Sequence, residues 1–236
     1  MKIWAIADLH LGFSTGKWMD IFGDHWQDHH VKVEAAWRER VSDDDLVLLP
    51  GDFSWAMKLS EVRQDFDWLA ALPGKKVLIK GNHDYWWSGS HAKVQSALPA
   101  DVWAIKKRAV VVDGVPIFGV RGADFCIREN QTPEDVEKRL VRERRELLAS
   151  LDHLHTLYQG DRSPIAMFHY PPYPMHARQS AFTRILEDAG CRLCIFGHLH
   201  SSPEWERVFQ GEERGIDYRL VSCDALGFEP VLLETL

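Results

Sequence analysis

Cysteine is scarce in this chain, with four among 236 residues, at Cys126, Cys191, Cys194 and Cys223. So few and so scattered, they exclude a disulfide framework as the source of stability. Cys191-Arg192-Leu193-Cys194 has the spacing of a metal-binding pair, but no second pair accompanies it and it runs into an apolar strand, which favours a structural reading. Long apolar runs are missing too, and none approaches the roughly 20 residues that span a bilayer. The opening residues MKIWAIADLH read as a strand rather than a cleavable signal, so the expected location is cytoplasmic, with no membrane partner. A basic excess is also absent. The formal net charge is -7, and acids interrupt or flank the short clusters at Lys106-Lys107-Arg108 and Arg142 to Arg145, which disfavours broad binding to nucleic acid. No repeat, low-complexity tract or convincing linker divides the chain, so residues 1–236 are expected to form a single domain.

What is present is ample apolar material, 45% of the residues, including ten tryptophans. Indole is costly to expose, so most of the ten belong in a core and a few are free to line a pocket. The first half alternates short apolar runs with helical patterns. Ile3 to Ala7, Leu46 to Leu49 and Val77 to Ile79 are strand candidates. A helix is expected from Asp24 to about Arg40, with Val33 and Trp37 on one face, and another along Val62, Phe66 and Leu69, stopped by Pro73-Gly74. Such alternation implies right-handed βαβ units and a largely parallel sheet. In the second half, Ala109 to Val112, Asp113-Gly114 and Val115 to Val120 read as a hairpin. Thr132-Pro133 starts a long helix striped by Val136, Leu140, Leu147, Leu151, Leu154 and Tyr158. Further strands are expected at Ile165 to Phe168, Leu193 to Phe196, Tyr218 to Val221 and Val231 to Leu233.

Five of the apolar runs end in metal-capable side chains: Asp8-Leu9-His10, Gly51-Asp52, Gly81-Asn82-His83-Asp84, His169, and Gly197-His198-Leu199-His200. A lone Asp or His at a strand end is ordinarily a cap or a surface group, but five in succession are not. In open α/β sheets the ligand crevice lies at the carboxyl ends of the strands, where all five fall. Residues two apart on an extended strand share a side, so Asp8 with His10, and His198 with His200, are each expected to project together. The glycines before Asp52, Asn82 and His198 allow tight turns beneath such a cluster. Mixed nitrogen and oxygen donors suit Mn, Fe, Co, Ni or Zn rather than Ca. Seven candidate ligands exceed the need of one ion. Two ions about 3.5 to 4 Å apart would use them, activating water and clamping both oxygens of an in-line displacement at phosphorus.

The ordered blocks resemble the calcineurin-like metallophosphoesterases, whose pattern is Asp-x-His, Gly-Asp, Gly-Asn-His with an acid, His, and Gly-His-x-His. The resemblance spans most of the chain. It implies a four-layer α/β/β/α sandwich of two mixed β-sheets flanked by helices, and hydrolysis of a phosphoester or nucleotide anhydride at two divalent or trivalent transition metal ions, Mn or Fe foremost. One metal would take Asp8, His10, Asp52 and His200. The other would take Asn82, His169 and His198, with Asp52 bridging. His83 matches the family's catalytic histidine, and Asp84 would orient its ring. Two departures are visible: no acid follows in Gly51-Asp52-Phe53-Ser54-Trp55, and Asp84 stands where Glu is usual. A nuclease and a non-catalytic metal-binding scaffold are the competing readings. The substrate, a small-molecule phosphoester, would meet the loops that carry Trp18, Tyr85, Trp86, Trp87, Arg121, Tyr173 and Arg178. The sequence is silent on oligomeric state.

Overall fold

In the computed structural model, which describes residues 1–236, the first half runs β1 (Lys2–Ala5), α1 (His29–Arg40), β2 (Leu46–Leu49), α2 (Arg63–Ala70), β3 (Lys75–Ile79), α3 (His91–Gln95) and β4 (Val102–Ile105). There follow β5 (Val110–Val112), β6 (Val115–Val120), α4 (Pro133–Leu157), β7 (Ile165–Phe168), α5 (Ala181–Asp188) and β8 (Leu193–Phe196). The chain closes with α6 (Ser202–Arg207), β9 (Gly211–Glu213), β10 (Ile216–Leu220) and β11 (Val231–Thr235). No helix is long and apolar enough to cross a membrane.

The strands make two mixed sheets, ordered β11-β1-β2-β3-β4 and β5-β6-β7-β8-β10-β9. In the first, β1 to β4 are parallel and β11 is antiparallel to β1. In the second, β6, β7, β8 and β10 are parallel, while the edge strands β5 and β9 run antiparallel to their neighbours. The sheets pack face to face with helices outside, the expected four layers.

Side-chain alternation explains why the strands read as unbroken apolar runs. Ile3, Ala5, Leu46, Leu48, Val77 and Ile79 meet Val115, Ile117, Ile165, Met167 and Ile195 of the other sheet in a central core. Their neighbours Trp4, Val47, Leu49 and Leu78 point outward into a core shared with Val33 and Trp37 of α1 and Phe66 and Leu69 of α2. Phe118, Phe168 and Phe196 do the same beneath α4 and α5. A strand buried on both faces has no polar side to display.

Local signals hold at several joints. Thr132 and Asp135 form a reciprocal capping box at the start of α4, with Pro133 in the first turn. The hairpin turns at Asp113 (φ 48°) and Gly114 (φ 80°), two left-handed residues that match the twist of the flanking strands. One helix start differs from expectation. Asp24–Trp26 is a short 3₁₀ turn, and Asp28 (φ 50°) breaks the path before α1 begins at His29.

Candidate metal centre

Every residue singled out at a strand end lies on the carboxyl side of the two sheets: Asp8 and His10 beyond β1, Asp52 beyond β2, Asn82 and His83 beyond β3, His169 beyond β7, His198 and His200 beyond β8. Backbone hydrogen bonds lace these loops together. Asp8 N–H donates to Gly51 O (3.0 Å), His10 N–H to Asp52 O (2.9 Å), and Gly197 N–H to His169 O (3.1 Å).

The convergence does not come from strand alternation. Asp8 (φ 61°), His10 (φ 45°), Asp52 (φ 50°) and His198 (φ 76°) all occupy the left-handed region, where non-glycine residues are uncommon and concentrate at functional sites. The strands have already ended, and left-handed kinks aim the side chains. As a result His198 and His200 do not project together but join different groups. Glycine serves here mainly for proximity. A Cβ on Gly81 would lie 2.1 Å from Asp52 Oδ1, and one on Gly197 would lie 2.4 Å from Asp8 Oδ2.

Two groups of donors result. Asp8, His10 and His200 form one and Asp52, His169 and His198 the other, the donor atoms of each lying within 4.8 Å of one another. Asp52 lies between them, with Oδ2 3.7 Å from His10 Nε2 and 3.5 Å from His169 Nε2. Asn82 Oδ1 joins the second group, 2.7 Å from His169 Nε2. His10 and His200 face each other Nε2 to Nε2 at 3.4 Å.

These residues fit a divalent cation. Asp8 Oδ1 and Asp52 Oδ2 are buried without a hydrogen-bond partner, and unpaired buried acceptors of this kind are costly. Burial pushes Asp8 up to about 8, against the pull of His200 and with the help of Asp52. It pushes Asp52 up to about 6, although His83 beside it acts in the opposite direction. Burial, then His169 and His200, drive His198 down to about 2. Buried carboxylates short of positive charge, set among the imidazoles of His10, His169 and His198 that resist protonation, are what a bound metal satisfies. Two of the outer nitrogens are already committed. His169 Nδ1 donates to Pro50 O (3.1 Å) and His200 Nδ1 to Asp224 (3.1 Å), leaving each Nε2 to face inward. Burial alone would lower His200, but the hydrogen bond to Asp224 and the charge of Asp8 prevail and raise it to about 9.

His83 is partly buried and leans over the first group, its ring 5.6 Å from that of His10 and 4.6 Å from that of Trp55. Its backbone N–H donates to Asp52 Oδ1 at 2.7 Å. Asp84 does not orient the His83 ring. Its carboxylate accepts from Phe53 N–H (3.0 Å), Ser54 N–H (3.1 Å), Gly81 N–H (2.8 Å) and Trp86 Nε1 (2.9 Å), so it staples the loop after β2 to the loop after β3. One methylene shorter than Glu, it bonds the backbone close to its own turn. Two contributors escape a reading of the blocks. Trp55 stacks on His10 at 4.8 Å, and Asp224 anchors His200 from the loop after β10.

The loop aromatics divide. Trp86, Trp87 and Tyr173 are buried and packed, whereas Tyr85 and Trp18 are exposed. Arg178 lies over the Phe209 ring at 4.3 Å. Beside His198, Tyr170 (4.0 Å between ring centroids) forms part of an apolar cavity of about 160 Å³ with Phe125 and Met175.

The profile of the family described as Calcineurin-like phosphoesterase matches residues 1–202, and the chain belongs to that family. Two curated relatives, each described as Gene 66 protein, come from Mycobacterium phage L5 (32% identical over 123 residues, 50% of this chain) and Mycobacterium phage D29 (34% over 84 residues, 35% of this chain). The chain covers 57% and 40% of their lengths. A phosphopantetheinyl hydrolase from Mycobacterium tuberculosis shares the fold, with TM-score 0.56 at 16% identity over 94% of this chain and 88% of that one.

Proposed function

We propose that residues 1–236 act as one catalytic domain that hydrolyses a small organic phosphoester at a centre of two transition metal ions, Mn or Fe. The observation that carries this reading is Asp52, whose Oδ2 lies within 3.7 Å of ligand nitrogens from both groups. Asp8, His10 and His200 would hold the first ion and Asn82, His169 and His198 the second, with Asp52 shared. When bound, such a pair lowers the pKa of water and offsets charge on a phosphoryl group.

The remaining steps belong to the chain itself. His83 stands at the open side of the first group, where its ring can donate a proton to the departing oxygen or a hydrogen bond to the phosphoryl group. Trp55 limits the rotation of both His10 and His83 by packing against each of them. Asp84 fixes the glycine-led turn from which Asn82 and His83 diverge. The cavity walled by Phe125, Tyr170 and Met175 offers an apolar surface for the organic part of the ester.

A screen of the metal-supplemented protein against phosphomonoesters, cyclic and linear phosphodiesters and nucleotide anhydrides, with metal content measured alongside, tests the reading. Hydrolysis of at least one class that stops with chelation and returns with Mn or Fe is the expected result. A fully metallated protein inert toward all of them would overturn it.

A further inference from the structure

Next to the metal centre is a second cavity, of about 280 Å³, into which the chain places Lys80, Lys106, Lys107, Arg121 and Arg142. Three of these cations stand immediately beyond strand ends: Lys80 after β3, Lys106 after β4 and Arg121 after β6. They therefore share the carboxyl edge that carries the candidate ligands. Lys80 directly precedes Gly81-Asn82, and the carbonyl of Arg121 accepts the N–H of His169 at 3.1 Å.

Only two carboxylates line the cavity, Glu143 and Glu146. Glu143 is occupied by Arg121 (2.6 Å) and Arg142 (3.1 Å), and Glu146 pairs with Lys107 (3.5 Å). Lys80 and Lys106 have no carboxylate partner. Their ammonium groups donate to backbone carbonyls, Lys80 to Trp87 O and Lys106 to Gly89 O. Arg121 Nε is buried with no acceptor, and so is Nη2 of Arg139, which with Arg128 lines the adjoining hollow that shares Arg121 and Arg142. In a chain of net charge -7, an excess of cations here is a local construction, and forked guanidiniums beside lysines match the oxygens of a phosphate.

We propose that this cavity binds a second phosphoryl group of the same substrate, so that the enzyme prefers small phosphoesters carrying two phosphates over those carrying one. This rests on the phosphoesterase reading above and names the substrate class of that site. A phosphate in the cavity would accept from the uncommitted donors of Lys80, Lys106 and Arg121 while the scissile phosphoryl group sits at the metal centre.

The test compares adenosine 5′-monophosphate with adenosine 3′,5′-bisphosphate on the Mn-loaded protein and on a Lys106→Ala/Arg142→Ala variant, with Lys106→Arg as the charge-conserving control. The bisphosphate is expected to show a kcat/KM about tenfold or more above that of the monophosphate, the usual worth of an added charged hydrogen bond, carried mainly in KM. The double variant should bring the ratio close to unity, and Lys106→Arg should retain it. Calorimetric titration of both nucleotides gives a readout independent of turnover. If the protein hydrolyses neither nucleotide nor a chromogenic phosphomonoester yet binds the bisphosphate more tightly in a Lys106- and Arg142-dependent way, the phosphoesterase reading fails and the anion site stands. If it hydrolyses a phosphoester with no preference for a second phosphate, and the variant changes nothing, the subsite is wrong. Stronger competition by a short single-stranded oligonucleotide than by the bisphosphate would also overturn it, in favour of a nucleic-acid backbone.

Discussion

Each group of candidate ligands is built on one Asp and two His, but the two are anchored in different ways. In the first, His200 is partly open to solvent and is held by a carboxylate, Asp224. In the second, His169 is fully buried and is held by a neutral carbonyl, that of Pro50. Both partners make an imidazole more basic, a carboxylate strongly and a neutral carbonyl too weakly here to offset burial. His200 is accordingly raised to about 9 despite its burial, while burial holds His169 well below the ordinary histidine range. One group must surrender a proton to take up a cation at neutral pH. The other presents its lone pairs already free.

The largest disruption should come from removing what the groups share. Asp52→Asn is expected to weaken both metals and abolish turnover, and full occupancy of both sites by elemental analysis in that variant would sink the bridging role. Next comes a change that leaves both groups intact. His83→Ala should retain two metals yet lose roughly 10² to 10⁴ in kcat, the range for a positioned acid or base. If His83 protonates the departing oxygen, esters of acidic phenols should suffer least. Parent-level turnover of every substrate, with metals verified, would remove His83 from the chemistry.

Two smaller effects separate the groups. Asp224→Asn should lower affinity for one metal of the two by about 10- to 100-fold, the usual cost of losing an outer partner, with the other unchanged. Equal weakening of both would show that the anchoring difference has no consequence. The pH dependence should differ as well. Asp8, raised to about 8, and His200, raised to about 9, hold protons that a metal must displace, so apparent affinity of the first site falls as pH drops from 9 to 7. The slope should approach tenfold per unit for each proton released. With Asp52 near 6 and His198 near 2, the second site should stay level over the same interval. Metal titrations monitored calorimetrically at several pH values check this, and parallel curves would count against it.

Much of this site was legible because its chemistry is concentrated at strand ends. Comparing five apolar runs is enough to collect all nine candidate residues, and the doubly buried strands announce themselves by lacking alternation. Other features left weaker traces. Asp224 stands at one more strand end, Ser222-Cys223-Asp224 beyond β10, but a single acid there looks like any cap. Trp55 is separated from Asp52 by two residues, and nothing in sequence tells a ring stacked on a ligand from one in the core. Trp86 and Trp87 show the reverse: they sit beside Asn82 and His83 yet turn inward, Trp86 donating to Asp84. Short elements such as α5 also escape notice. Its capping box pairs Ser180 with Thr183, where the usual signature has Glu or Gln.

The left-handed backbone at Asp8, His10, Asp52 and His198 has a bearing on heredity as much as on chemistry. A residue at positive φ costs about 1 to 2 kcal/mol unless it is Gly, or Asn or Asp with a local hydrogen bond. Codons for Asp and Asn differ by one nucleotide, so at positions 8 and 52 the exchange that removes the charge leaves the turn tolerable. Codons for His at 10 and 198 likewise lie one nucleotide from those for Asn and Asp, so there too the imidazole can be lost while the turn stays tolerable. Drift at these four positions is thus expected to give inactive but folded descendants before it gives unfolded ones.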